Sequence, residues 1–225
     1  MQISSLSFRS FTIAAALLAA GASAHADLTI PVNGLVADSV QAFSSDAIDA
    51  FAAQSVTVTP LGNATAVTGV DAAFRLPITT ITIGAGLKIA KGDAKGTALE
   101  FSRVYRGNTV ALTLANFTIN YVTKQVLADV TPKGGTTSTQ QAIYNFHTQT
   151  PLGIKYQFPL KITGHEVLDQ LFLTEETKDS FMAALVLPKA IRGVLDTVDF
   201  GTLTQDIAVK LRAKPVSAKP YVPAP

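Results

Sequence analysis

Ala98-Leu99-Glu100-Phe101-Ser102-Arg103-Val104-Tyr105-Arg106-Gly107-Asn108-Thr109-Val110-Ala111-Leu112-Thr113-Leu114 decides the fold class of this chain. Apolar and polar residues alternate on both sides of Gly107-Asn108, the pattern of two strands that each turn one face to a core and are joined by a tight turn. Beyond Leu114 the apolar set moves from even to odd positions, at Phe117, Ile119 and Tyr121. Because side chains alternate with a period of two, such a change of face predicts a bulge near Ala115-Asn116.

The same period extends in both directions from this hairpin. Downstream, Val126 to Val130 pairs naturally with the preceding strand through a loop at Thr123-Lys124, and Pro132 to Thr139 reads as a loop by composition. Ala142 to His147, Ile154 to Thr163 and Leu203 to Leu211 are the next strands. Upstream, Ser55 to Thr59 is a strand stopped by Pro60. Ala73 to Ile83 is a longer strand whose Pro77 requires an edge or a bulge. Gly86 to Ala90 and Ala98 to Val104 read as separate strands parted by a turn at Gly92-Asp93. A short extended piece, Leu28 to Leu35, precedes them.

Two segments change to the helical period. Val40, Phe43, Ala47, Ile48 and Phe51 form one stripe, capped either by Asp38 or Ser39 or, in an alternative start, by Ser44 or Ser45. A second helix opens at Thr174 with Glu175, Glu176 and Asp179 early, where the helix dipole favours acids. Its apolar stripe is Phe181, Ala184 and Leu185, and Pro188 ends it or begins a further turn through Ile191 and Leu195. The stretches Phe43 to Phe51 and Leu173 to Phe181 echo one another: an apolar residue, a capping pair, early acids, then Phe. About ten strands and two short helices leave no room for helical crossovers. The fold class is therefore mainly β with two short helices (α+β), an antiparallel β-sandwich or open barrel.

Residues 1–26 read as a cleavable signal peptide. Arg9 precedes the apolar run Phe11 to Ala20, which is followed by small residues ending Ala24-His25-Ala26. That run is far shorter than the roughly 20 residues a spanning helix needs. Cleavage after Ala24 would leave His25 on the mature chain. The domain reading is 1–26 signal peptide, 27–212 a single β-rich domain and 213–225 a Pro-rich flexible tail, polyproline-like or disordered. The expected location is periplasmic or secreted, with no integral membrane segment after cleavage.

After cleavage the chain holds 17 Lys plus Arg against 16 Asp plus Glu, a net charge of +1, and these residues are scattered. A nucleic-acid partner would call for a basic stripe, so that class is excluded. The chain has no cysteine, which rules out disulfides, thiolate metal sites and a lipidated cysteine. Stability must come from packing, and the hydrophobic content of 48% supplies the material. The sequons at Asn63 and Asn116 matter only on a eukaryotic export route.

No phosphate loop, nucleophile elbow, zincin helix or acidic calcium loop occurs. The reading is accordingly of no catalytic residue, no metal and no cofactor. Four residues are the candidates for binding. Tyr105, beside Arg106 at the tip of the 98–114 hairpin, suits planar or anionic ligands. Tyr144 and His147 lie on a strand with opposite facing, and His165 sits between Gly164 and Glu166 at an expected turn. A metal would require partners such as Asp169 or Glu166 to be brought to the two histidines. Glu100 and Asp129 fit a solvent face, and Asp196, Asp199 and Asp206 fit solvated positions.

The order of segments resembles a set of uncharacterised exported bacterial β-rich proteins and, more distantly, the HtaA-type haem-binding domains of bacterial cell surfaces. The residues that carry it are Phe51 with Val56 to Ala64, Phe74 to Thr79, Gly86 to Ile89, Leu112 to Asn120 and Val126 to Val130. The resemblance implies a β-rich exported protein. No haem ligand maps onto this chain residue by residue. The functional reading is an exported non-enzymatic protein, a binding or surface-structural module with a small-molecule or cell-surface partner. Haem or small apolar ligand binding is one alternative, and an exported hydrolase with an unrecognised site is another.

Overall fold

The computed structural model describes residues 28–31, 36–83, 89–157, 161–208 and 216–224, so the expected signal peptide lies outside the described residues. In chain order the elements are β1 (Leu28–Pro31), β2 (Val36–Ala42), α1 (Ser45–Ala53), β3 (Thr57–Gly62), β4 (Thr65–Ala66), β5 (Ala73–Pro77), β6 (Thr80–Ile83), β7 (Ile89–Tyr105) and β8 (Asn108–Asn120). They continue with β9 (Gln125–Pro132), β10 (Ser138–Gln157), β11 (Lys161–Leu173), α2 (Glu175–Ala184), α3 (Ile191–Thr197) and β12 (Thr202–Ala208). The strands form one antiparallel sheet in the order β1-β6-β7-β8-β9-β10-β11-β12-β2-β5-β4, with β3 also paired to β7. Among the described residues no helix is long and apolar enough to cross a membrane.

The sheet curls into a nearly closed barrel, and the segment from Ala73 to Ile83 closes it. Its first half, β5, pairs with β2, and its second half, β6, pairs with β7. Between them the Ile78 N–H donates to the Ala37 carbonyl at 2.9 Å and the Thr79 N–H to the Asp93 carbonyl at 2.7 Å. Pro77, which has no N–H to give, stands where the chain leaves one partner for the other. The sequence predicts one strand whose Pro77 requires an edge or a bulge; in the structure the strand divides there, at the barrel's corner.

The 98–114 hairpin forms between β7 and β8, closed by Arg106 and Gly107 at φ of 50° and 80°, the left-handed pair favoured in two-residue hairpin loops. The bulge expected near Ala115-Asn116 is present, with Asn116 at φ 53° and a register shift between Ala115 and Thr118. Gly92-Asp93 is not a turn, however. β7 stays extended through it, and a second bulge, with Gly96 at φ 77°, produces the change of face that reads as a break in the sequence. The Gly96 N–H donates to Asn116 Oδ1 at 3.0 Å, so the two bulges hold each other.

Several other expectations are corrected by pairing. Val36–Ala42 is a strand, because Ala37, Ser39 and Gln41 alternate into the barrel between β12 and β5, and sheet pairing overrides the local stripe. The helix starts at the alternative cap, Ser44, whose Oγ accepts the Ala47 N–H at 3.1 Å. β3 runs through Pro60, tolerated on a strand with a single partner. His165 lies within β11, since β10 and β11 together form one long hairpin. The further turn after Pro188 is α3. Of the expected strands, Gly86 to Lys88 and Val209 to Leu211 lie outside the described residues.

Thr174 caps α2 as predicted, its Oγ1 accepting the Thr177 N–H at 3.4 Å. The echo between the helices has a packing consequence, because Phe51 and Phe181 enter the same aromatic cluster. The fully buried Phe101 ring lies 5.6 Å from Phe51, 5.0 Å from Phe181 and 6.1 Å from Phe43, while Phe200 joins Phe51 at 5.9 Å. These rings link the helices to the barrel core. Phe101→Ala removes the shared contact of three rings and is expected to cost about 3–5 kcal/mol, measured by denaturant unfolding.

Candidate functional site

The four sequence candidates do not converge. Tyr144 is buried in the core with its ring 5.7 Å from Phe200, and desolvation raises its phenol far above the ordinary range. Tyr105 ends β7, with the Arg106 guanidinium 5.2 Å from its ring centre. His147 and His165 are exposed on the β10–β11 hairpin, but His147 faces Asp169 across the strands and His165 faces Gly153, six residues further along β10.

Each histidine has a carboxylate partner: Asp169, which the sequence names as a possible one, and Asp206, which it does not. His147 Nδ1 lies 2.8 Å from Asp169 Oδ1, and His165 Nδ1 lies 2.8 Å from Asp206 Oδ1. Cross-strand register explains both, since Asp169 is directly opposite His147 and Asp206 directly opposite His165. Glu166, by contrast, points into the barrel, on the other face of β11 from its neighbour. Asp206 is solvated as expected and is paired as well.

Around His165 the outer face is hollowed into a cleft of about 380 Å³. It is lined by Val36, Asp38, Gly153, Lys155, Thr163 and Ala208 together with the His165–Asp206 pair. Gly153, His165, Asp206 and Asp38 stand opposite one another on four successive strands. Gly153 places no side chain beside the imidazole, and a Cβ there would meet open space. At the far side Asp38 Oδ2 is held by Arg75 Nη1 at 2.8 Å.

A carboxylate bonded to Nδ1 fixes the ring and presents Nε2, which suits either a general base or a metal ligand. Among the described residues no serine or threonine hydroxyl is hydrogen-bonded to either imidazole. Among the same residues no group of three or more His, Asp or Glu side chains is arranged to hold a metal ion.

Three other carboxylates expected in solvent have structural duties. Asp129 Oδ1 accepts the Gln140 N–H at 2.9 Å, Asp199 Oδ1 accepts the N–H groups of Leu171 and Gly201, and Asp196 receives Lys178 Nζ at 2.9 Å.

Inside the barrel, directly behind the cleft, lies a buried polar layer. Glu166, Gln205 and Ser39 stand side by side on β11, β12 and β2, each under 5% exposed. The Tyr121 hydroxyl crosses to Glu166, donating to Oε2 at 2.6 Å. The neighbouring inward positions of β11 and β12 are apolar, Leu168 and Leu203 on one side and Ile207 on the other; on β2 they meet the buried Gln41 and Ala37 respectively. Among the described residues Ser39 Oγ and Gln205 Nε2 have no hydrogen-bond partner. Desolvation raises the Glu166 carboxyl above its usual range, partly offset by the Tyr121 hydrogen bond.

A carboxyl whose folded pKa is raised holds its proton more tightly folded than unfolded, so its contribution to stability falls as pH rises from the ordinary carboxylate range through the folded value. Glu166→Gln keeps an acceptor for Tyr121. It is expected to match or exceed wild-type stability at pH 7, with the advantage shrinking towards pH 4, as measured by urea unfolding across that range. Tyr121→Phe, which leaves the carboxylate without its donor, is expected to cost about 1–3 kcal/mol at pH 7.

No family model matches the chain, and no curated protein matches it. Among solved structures, the chain is distantly similar to the crystal structure of the C-terminal domain of HtaA from Corynebacterium glutamicum, with 12% sequence identity and a TM-score of 0.49 over 79% of this chain and 99% of that one.

Proposed function

We propose that this chain is an exported, non-enzymatic binding module that takes haem on the outer face of its barrel, where His165 would hold its iron. The observation that carries this reading is the His165–Asp206 pair at the lip of the cleft, with Nε2 making no hydrogen bond among the described residues. The donor set suits the group. Asp206 holds the imidazole by Nδ1, as outer carboxylates do for metal-bound histidines. Val36 and Ala208 offer apolar contact to a porphyrin face, and the Lys155 ammonium is available to a propionate. Bound haem would supply the metal centre and a visible spectrum, while the chain supplies orientation and an apolar wall. The absence of a hydroxyl at either imidazole weighs against the hydrolase alternative.

Titration of the mature protein with ferric haem is expected to give a shifted, saturable Soret band at one haem per chain. His165→Ala should abolish that shift, and His147→Ala should leave it, because His147 does not line the cleft. Asp206→Asn should weaken binding by roughly 10–100-fold. Equal Soret changes in wild type and His165→Ala would refute the assignment.

A further inference from the structure

The last described segment, 216–224, lies along the outer faces of β7, β8 and β9. Asn116 holds it as a strand would, its Oδ1 accepting the Tyr221 N–H at 2.7 Å and its Nδ2 donating to the Tyr221 carbonyl at 3.0 Å. Asn63 Nδ2 donates to the Ser217 carbonyl at 2.8 Å. Gly96 allows the approach, since a Cβ there would come within 2.9 Å of the Lys219 carbonyl oxygen.

Between this segment and the sheet runs a groove of about 470 Å³, on a different side of the barrel from the His165 cleft. Its floor is a cross-strand row, Glu100 opposite Thr113 and Thr113 opposite Thr131. Thr137 extends the row through a 2.9 Å hydroxyl–hydroxyl contact with Thr131. Lys133 and Tyr221 also line the groove, and the Tyr221 ring rests against Gly62, where a Cβ would fall 2.9 Å from it. Thr113 is only 5% exposed, yet its hydroxyl has no hydrogen-bond partner among the described residues, and neither has the Glu100 carboxylate. Glu100 and Lys133 share the groove without forming an ion pair.

These groups select a ligand class. An apolar occupant would leave Thr113 and Glu100 desolvated without partners, which costs free energy. An anion would meet Glu100, and a cation would meet Lys133. Hydroxyls repeating at the strand spacing of about 4.8 Å both donate and accept, as every sugar hydroxyl does. A carboxylate can accept from two adjacent hydroxyls, and a tyrosine ring offers an apolar face to a pyranose. We propose that the groove is a saccharide site, in which Thr113, Thr131 and Glu100 bind ring hydroxyls and Tyr221 packs on a ring face. It is independent of the haem reading.

The mature chain, labelled with 15N, would be titrated separately with maltotriose, triacetylchitotriose and glycylglycine, the last a zwitterion that could bridge Lys133 and Glu100. One of the trisaccharides is expected to shift the amides of Thr113, Thr131, Lys133 and Tyr221 saturably, with glycylglycine inert. Thr113→Val, which removes only a hydroxyl, and Glu100→Gln should each weaken that binding by about fivefold. Tyr221→Ala keeps the backbone bonds to Asn116 and should weaken it comparably, which keeps the test open if Thr113→Val fails to fold. His165→Ala should bind sugar as wild type does. Absence of groove shifts with both trisaccharides, binding unchanged in the variants, or saturation by glycylglycine instead would each overturn the proposal.

Discussion

A twisted sheet curls into a barrel only where its two ends are joined by backbone hydrogen bonds, and here one segment makes that junction. Ala73 to Ile83 gives its first half to β2 and its second half to β7, with Ile78 and Thr79 bonded to both sides of the seam. Open edges would leave rows of unpaired N–H and C=O groups. Once the seam is joined, inward side chains are committed to the interior, where the apolar ones form a large cluster and a smaller one around Ala37, Ile78 and Ile81, and outward ones to the surface. The aromatic cluster beneath α1 and α2, the buried polar layer and the two outer grooves all depend on that division.

Alternation then places chemistry on both faces of the same strands. His165, Asp206 and Asp38 face outward, and their chain neighbours Glu166, Gln205 and Ser39 face inward. The outer row is solvated, so its ion pairs contribute little to stability and are free to serve a ligand. The inner row is desolvated, which is costly for a carboxyl and leaves two polar atoms without partners among the described residues. A one-residue slip of β12 or β2 would exchange these roles, and the buried Leu203 and Ala37 on those strands, which it would turn outward, oppose such a slip.

Bulges organise the opposite side of the barrel. Gly96 and Asn116 bend β7 and β8 at the same level, and the Asn116 side chain serves the Gly96 N–H, the Asp129 carboxylate and the Tyr221 backbone together. One asparagine in a left-handed conformation thus connects the sheet to the C-terminal segment. Asn is among the few residues that tolerate that conformation, and here its amide also satisfies groups that the interrupted ladder leaves open.

Local pattern by itself determines the β class, the 98–114 hairpin, the Asn116 bulge and the cap at Thr174, because each depends on neighbours within a few positions; it leaves Ser44 as one of four possible caps of the first helix. It also supplies His147 and His165 as candidates. Where local signals conflict with pairing, pairing prevails: the helical stripe begun at Val40 yields to a strand, and Gly92-Asp93 is drawn straight into β7. Only the tertiary structure decides that Pro77 is a corner, that Asp206 meets His165, that Glu166 is buried while its neighbour is exposed, and that Thr113 and Glu100 share a groove with Tyr221. These facts join residues tens of positions apart, and their cause is register across strands, which alternation along one strand leaves undetermined.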